Sequence, residues 1–147
     1  MERQMDEFLI SDDKSLIQPG RVWEMLSKSY WAADRDLATI KKSIEHSLCF
    51  GVYHAGEQIA FARCVTDYAT IYWLGDVIVD ERYRGQGVGK ALVAFVHAHE
   101  SIKHLNGILA TRDAHTLYER YGFTVVDEKR YMRRPAVKAE ENTTPAK

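Results

Sequence analysis

At 147 residues and 16.9 kDa, the chain has the length of one domain and can bury a core of its own. Its 46% apolar and 28% charged residues exclude disorder throughout, and no apolar run approaches the ~18 residues of a membrane span. With 20 basic against 21 acidic side chains, a net charge of −1, there is no electrostatic case for nucleic acid, and the acid-bearing residues 1–30 form no secretion signal.

The pass along the chain begins with a short strand, Phe8–Ser11. Gln18-Pro19-Gly20 breaks the chain. Residues 21–29 have helical spacing, with Val22, Met25 and Leu26 on one face. An aromatic link, Tyr30-Trp31-Ala32-Ala33, leads to a second helix that Asp34 or Asp36 can cap, with Leu37, Ile40, Ile44 and Leu48 as its apolar positions. Strands follow at Leu48–His54 and 58–66, joined by the turn Ala55-Gly56-Glu57, and then at Ile71–Val79 after the turn 67–70. The last of these is apolar on both faces, as a central strand would be. A loop at 80–84 and a glycine cluster open a helix over 88–100. Residues 105–110 read as a strand, and 114–120 as a short helix that Gly122 ends with a left-handed cap. Residues 123–126 and 130–133 read as a final antiparallel pair. The result is an α/β chain, a mixed sheet of about seven strands with about four helices on both faces. It occupies residues 1–134. The tail 135–147, charged and without aromatic residues, reads as disordered.

Two cysteines, Cys49 and Cys64, lie in apolar stretches. They read as buried thiols of a reducing cytoplasm, not as a disulfide or a zinc site. His97, His99 and His104 have no acid at ligand spacing other than Glu100, so no metal is expected. The basic run Lys129, Arg130, Arg133 and Arg134 reads as a solvated strand face.

The informative segment is Arg84-Gly85-Gln86-Gly87-Val88-Gly89-Lys90, set between a buried strand and an amphipathic helix. Glycines let the backbone approach a ligand closely, and the helix start leaves N–H groups and positive dipole for an anionic phosphate. A P-loop would need glycine where Arg84 stands and a hydroxyl where Ala91 stands. A dinucleotide fingerprint would need its third glycine at Lys90. Both fail. The surviving pattern is Q/R-x-x-G-x-G/A. With the lead-in Val77-Ile78-Val79-Asp80-Glu81-Arg82-Tyr83 and the downstream Leu117-Tyr118-Glu119-Arg120-Tyr121-Gly122-Phe123, the chain resembles the GNAT superfamily of acyl-CoA-dependent N-acyltransferases. The likeness is sharp over residues 71–123. Glu81 stands where the family often has proline, and Asp113 where many members carry asparagine near the cofactor.

The resemblance implies a mostly antiparallel sheet with a splayed central parallel pair, and acetyl-CoA (or another acyl-CoA) as donor without a metal. The pyrophosphate would lie on the amides of Arg84, Gly85, Gln86, Gly87, Val88, Gly89 and Lys90. The pantetheine would run beside Val77, Ile78 and Val79, with Asp113 near by. Tyr118 matches the family's general acid. Val77 or Ile78 would offer an N–H to the oxyanion. From the residues themselves, Asp76 is an unexpected charge in an apolar run, either a base or the structural partner of Arg112 or a hydroxyl. Asp67, Tyr68, His115 and Trp31 are candidates for the acceptor side, Trp31 beside Arg35 in the link between the first two helices. The expected reaction is N-acetyl transfer to a small-molecule or peptide amine, the acids mildly favouring a cationic one. A non-catalytic acyl-CoA sensor and a purely structural interaction domain are the alternatives. The protein would be cytoplasmic, free of nucleic acid and membrane, and a monomer or homodimer.

Overall fold

The structure is a computed structural model that describes residues 1–137. Six strands form one sheet in chain order: β1 (Glu2–Met5), β2 (Phe8–Ser11), β3 (Leu48–His54), β4 (Glu57–Thr66), β5 (Ile71–Val79) and β6 (Asn106–Ile108). All neighbours are antiparallel except β5 and β6, which run parallel. Four helices complete it: α1 (Pro19–Ser27), α2 (Leu37–Glu45), α3 (Val88–His97) and α4 (His115–Glu119). The mixed sheet and the four helices match the fold class expected from the sequence; the sheet has six strands where about seven were expected, and the parallel pair lies at its end, not its centre, because residues 123–133 add no strand beyond β6 among the described residues.

Alternation sorts the strand residues onto two faces. Phe50 and Val52 of β3, Ala60, Ala62 and Cys64 of β4 and Leu74 of β5 pack against Leu92, Phe95 and Val96 of α3. On the opposite face, Cys49, Phe61 and Ile78 meet Val22, Met25 and Leu26 of α1 and Ile40 and Ile44 of α2. Pro19 opens α1, where a missing N–H costs nothing. The Asp36 carboxylate caps α2 by accepting from the Thr39 N–H at 2.8 Å. Gly122 has φ +87° and reverses the chain after α4 as expected.

Two features set the geometry of the site. The parallel pairing is short: Ile71, Tyr72 and Trp73 oppose Asn106, Gly107 and Ile108, and no pair follows among the described residues. From Leu74 to Val79, β5 therefore has a free edge. The second feature is a bulge in β5. The β4 register runs Arg63 to Gly75 and then Phe61 to Ile78, so β5 carries an extra residue there. Asp76 takes a left-handed φ of +54°. One inserted residue flips the faces. Tyr72 and Leu74 point to α3, whereas beyond the bulge Ile78 points to α1 and α2 and Val77 and Val79 pack on the α3 side.

Three differences from the sequence reading concern the ends of the chain. β1 was not expected, because Glu-Arg-Gln-Met is polar and mostly exposed, and pairing with β2 alone makes it a strand. Residues 123–126 and 130–133 are not strands. Despite their β-forming composition they find no ladder partner among the described residues, and only a 3-10 turn at Glu128–Arg130 interrupts them. The basic run at 129–134 accordingly has no strand face to occupy. Of the tail 135–147, residues 138–147 lie outside the described residues.

Candidate active site

The loop from β5 to α3 starts at Asp80, whose carboxylate accepts from the Arg82 N–H at 2.9 Å and also binds the guanidinium groups of Arg21 and Arg82. The hydrogen bond from the Arg82 side chain, strong enough to outweigh partial burial, holds Asp80 well below the ordinary carboxylate range. This clamp fixes the chain direction into the glycines. Gly85 and Gly87 both have φ +80°, and a Cβ at either would project into open space. Gly87 is also the N-cap of α3 and supplies no side-chain cap. The first helical bond runs from the Ala91 N–H to the Gly87 carbonyl at 3.0 Å. The N–H groups of Val88, Gly89 and Lys90 are thus left for a ligand, with Arg84, Gln86 and Lys90 exposed around them. Bare amides, helix dipole and two flanking cations make a cradle suited to an anion. Gly89 plays another part. Its Cβ would stand 3.5 Å from Val79 Cγ2, on the sheet side, so it sets how closely α3 approaches β5.

The free edge of β5 leads into this cradle. The Asp80 N–H donates to the Ile59 carbonyl at 2.8 Å on the β4 side. Strand alternation then turns the N–H and C=O of Val77 and Val79 to the free edge and those of Ile78 toward β4. The Val79 carbonyl accepts from Arg84 Nε at 3.2 Å, which shows that it faces outward. Of the residues expected along the cofactor, Val77 and Val79 are suitably turned. Ile78 is not: its backbone serves β4 and its side chain is in the α1/α2 core. Of the two N–H groups expected at the oxyanion, that of Val77 faces the open edge.

Asp76 sits at the bulge with its side chain 3% exposed. Its Oδ1 accepts from Trp31 Nε1 at 3.0 Å, and its Oδ2 from Arg35 at 2.7 Å and Arg63 at 2.9 Å. Burial alone would raise its pKa; the Arg63 charge and the Arg35 and Trp31 hydrogen bonds outweigh it and hold the carboxyl below its ordinary value. Asp76 is therefore an anchor of the link between α1 and α2, and the structure does not support it as a base. Nor is its partner Arg112. That guanidinium lies 3.8 Å above the Tyr30 ring, and Tyr30 meets Trp31 edge-on at 5.0 Å. Arg112, Tyr30, Trp31 and Asp76 thus form a continuous contact from the β6–α4 loop to the bulge.

Tyr118, on α4, is 8% exposed and packs in the same cluster as Val77 and Val79, with Phe123 edge-on at 6.2 Å. Burial, then the charges of Asp113 and Tyr30, raise its pKa above the usual tyrosine value, so it keeps its proton at neutral pH. Asp113 is exposed and close enough for that influence. His115 is exposed at the start of α4 and lines, with Tyr118, Trp73 and Phe123, a cleft of about 600 Å³ along β6.

Asp67 and Tyr68 do not join this group. Their turn precedes β5, whereas the splay lies at its far end, about 20 Å away at strand rise. The Asp67 carboxylate is spent on its own turn, accepting from Thr70 and Ala69 N–H at 2.8 and 2.9 Å. The Thr70 hydroxyl also binds it and holds it well below the ordinary range. The sequence reading missed Arg63 and its second partner, Ser47 Oγ at 3.1 Å. The signal was present: Arg63 and Asp76 are each a lone charge in an apolar strand run, and two such charges on neighbouring strands call for pairing. Among the described residues no group of three metal-ligating side chains occurs, and no helix is long and apolar enough to cross a membrane.

Comparison with known proteins agrees with this geometry. A model of the acetyltransferase (GNAT) domain matches residues 45–125. A crystal structure from Xanthomonas campestris pv. campestris, provisionally described as an acetyltransferase belonging to the GNAT family, is 44% identical. The match covers 90% of this chain and 96% of that one, with a TM-score of 0.84. A Gibberella zeae protein with a provisional acetyltransferase name is 25% identical over 124 residues, 70% of each chain. Glucosamine-6-phosphate N-acetyltransferase from Arabidopsis thaliana shares the fold at 18% identity and a TM-score of 0.64, over 87% of this chain and 97% of that one. The chain belongs to the GNAT acetyltransferase family.

The role found for Asp76 is measurable. Asp76→Ala leaves two arginines facing a buried gap and should lower the urea unfolding free energy by about 3 kcal/mol at neutral pH. Because the folded carboxyl is more acidic than the unfolded one, its contribution is full above the unfolded pKa and is lost as pH falls through the folded value. The difference between the two proteins should shrink in acid. Equal stability at neutral pH would contradict the anchoring role.

Proposed function

We propose that this protein transfers an acetyl group from acetyl-CoA to a primary amine, by direct attack of the amine while both substrates are bound. The observation that carries the reading is the continuity of the free β5 edge with the glycine cradle. An extended chain could pair with Val79 and Val77 while its diphosphate rests on the α3 amides. Acetyl-CoA, when bound, supplies an activated acyl group as a thioester. The Arg84 side chain leaves the Val79 carbonyl, and that carbonyl and N–H then orient the pantetheine. The Val77 N–H donates to the oxygen that becomes negative on attack, a donor fixed in advance by the bulge. Tyr118 donates its proton to the departing sulfur, and its raised pKa keeps that proton available across the neutral range. His115 takes the proton of the amine through water. Trp31 and Tyr30 form an aromatic wall on the acceptor side, suited to a small-molecule or peptide amine.

The compartment we infer is the reducing cytoplasm. Burial pushes the Cys49 thiol up to about 11 and Cys64 up to about 12, so neither is reactive. The reaction needs no nucleic acid or membrane.

A thiol-release assay of the protein and acetyl-CoA against a panel of amines should find a turned-over acceptor; hydrolysis alone across the panel would favour a binding module instead. Tyr118→Phe should lower kcat about 10- to 1000-fold. In the wild type, kcat should hold through the ordinary tyrosine range near pH ~10; a Phe variant with the wild-type rate would remove the acid assignment. Gly87→Glu should weaken CoA binding at least about tenfold in calorimetry, since its carboxylate would share the cradle with a diphosphate. Gly87→Ala separates this from the strain of a left-handed residue. Unchanged affinity in the Glu variant would move the diphosphate elsewhere.

A further inference from the structure

Over the β5 bulge the charges do not balance. Two arginines, Arg35 and Arg63, face one carboxylate, Asp76. Its oxygens are spent on those guanidinium groups and on Trp31, so one positive charge is left over. Arg35, its side chain 30% exposed, brings that charge to the surface. A third guanidinium, Arg112, lies 3.8 Å above the Tyr30 ring. It makes no ion pair among the described residues, not even with its chain neighbour Asp113. Stacking holds its plane and leaves its N–H edge open, an arrangement that takes a carboxylate through two parallel bonds. Asp67 and Asp76, the acids that suggest a cationic acceptor in the sequence, are both spent: Asp67 on its own turn, Asp76 on its arginines. Positive charge near the site also favours the neutral, attacking form of an amine.

The same face offers aromatic surface. Gly75 stands opposite Arg63 in the register, and a Cβ there would meet Trp73 Nε1 at 3.2 Å. The Trp73 indole thus lies back over Gly75, toward the bulge. Trp31 reaches the bulge from the link between α1 and α2. Trp31 is 41% exposed and Trp73 43%, and two such indoles suit a flat apolar side chain. Both features belong to the reacting centre. Trp73 lines the same cleft as Tyr118 and His115. Tyr30, beneath Arg112, is close enough to Tyr118 for its charge to bear on that phenol.

We propose that the acceptor is a free amino acid with an aromatic side chain. Arg112 binds its carboxylate, Trp31 and Trp73 hold its side chain, and its amine is left to meet the thioester. The surplus charge of Arg35 and Arg63 favours the carboxylate from the floor. This inference rests on the acetyl-transfer reading and names the acceptor class for it. The bond from the amine nitrogen to the acyl carbon forms as the carbon–sulfur bond breaks. The thiolate takes the Tyr118 proton, and the amine proton leaves through water to His115 and returns through solvent to the Tyr118 oxygen. The products are an N-acetyl amino acid and CoA.

The test uses the full chain with saturating acetyl-CoA. Thiol release compares phenylalanine with phenethylamine, which lacks the carboxylate, with phenylalaninamide, where it is neutral, and with alanine, where the ring is gone. kcat/KM for phenylalanine should exceed each of the others by at least about tenfold. Arg112→Gln, at an exposed position, should raise KM for phenylalanine at least about tenfold while kcat/KM for phenethylamine stays within about twofold. Binding is read separately from catalysis. With CoA present, N-acetylphenylalanine should quench tryptophan fluorescence with a Kd at least about tenfold below that of N-acetylphenethylamine. Phenethylamine, phenylalaninamide or alanine used as well as phenylalanine overturns the proposal. So does an Arg112→Gln protein that loses equally on phenylalanine and phenethylamine. Thiol release from no amine, together with selective binding of N-acetylphenylalanine, would remove the acetyl-transfer reading and keep the carboxylate site. Equal binding of the two N-acetyl compounds, or binding of neither, overturns the site whatever the assay gives.

Discussion

The left-handed residue Asp76 and its ion pairs are the constraint on which the site depends. A non-glycine residue at φ +54° costs on the order of 1 kcal/mol and persists only where the surroundings over-determine it. Here Arg63 from the neighbouring strand and Arg35 and Trp31 from the link between α1 and α2 hold the carboxylate from two sides. The extra residue changes the phase of β5. Without it, Val77 and Val79 would exchange faces with Ile78, and the backbone groups on the open edge would be different ones.

Two further consequences come from the same place. The link that carries Tyr30 and Trp31 is tied to the bulge, so the same carboxylate that shapes the open edge of β5 also positions these two aromatic rings. Arg112, stacked on Tyr30 at 3.8 Å, extends the tie to the loop before α4 and so to the element that bears Tyr118. A charge that looks like a candidate base in the one-dimensional pattern is spent on geometry. The group that retains a transferable proton is the buried phenol. Burial separates the two roles: with two arginines it keeps Asp76 ionised, and without a cation partner it keeps Tyr118 neutral.

The glycines likewise divide by position. Gly85 and Gly87 adopt positive φ and face open space, so they make the cradle, whereas Gly89 is helical and governs the approach of α3 to Val79. The spacing Arg84-Gly85-Gln86-Gly87-Val88-Gly89 announced a phosphate loop without telling these roles apart. Only backbone angles and neighbours do so.

The local patterns in the sequence determined the central part of this protein. The helical apolar stripes, the period of the strands, the Asp36 cap, the Gly122 turn and the glycine loop with Tyr118 downstream are all short-range signals, and each arises from forces within a few residues. Tertiary structure alone decided which side of β5 is open, that Asp76 binds Arg63 and Arg35, and that Asp67 and Tyr68 lie at the far end of the strand from the splay. It also left residues 123–133 without a ladder partner among the described residues, despite their composition. A strand needs a partner as well as a propensity, and a buried charge finds its partner across the sheet. Both depend on contacts between residues far apart in the chain, which no local pattern records.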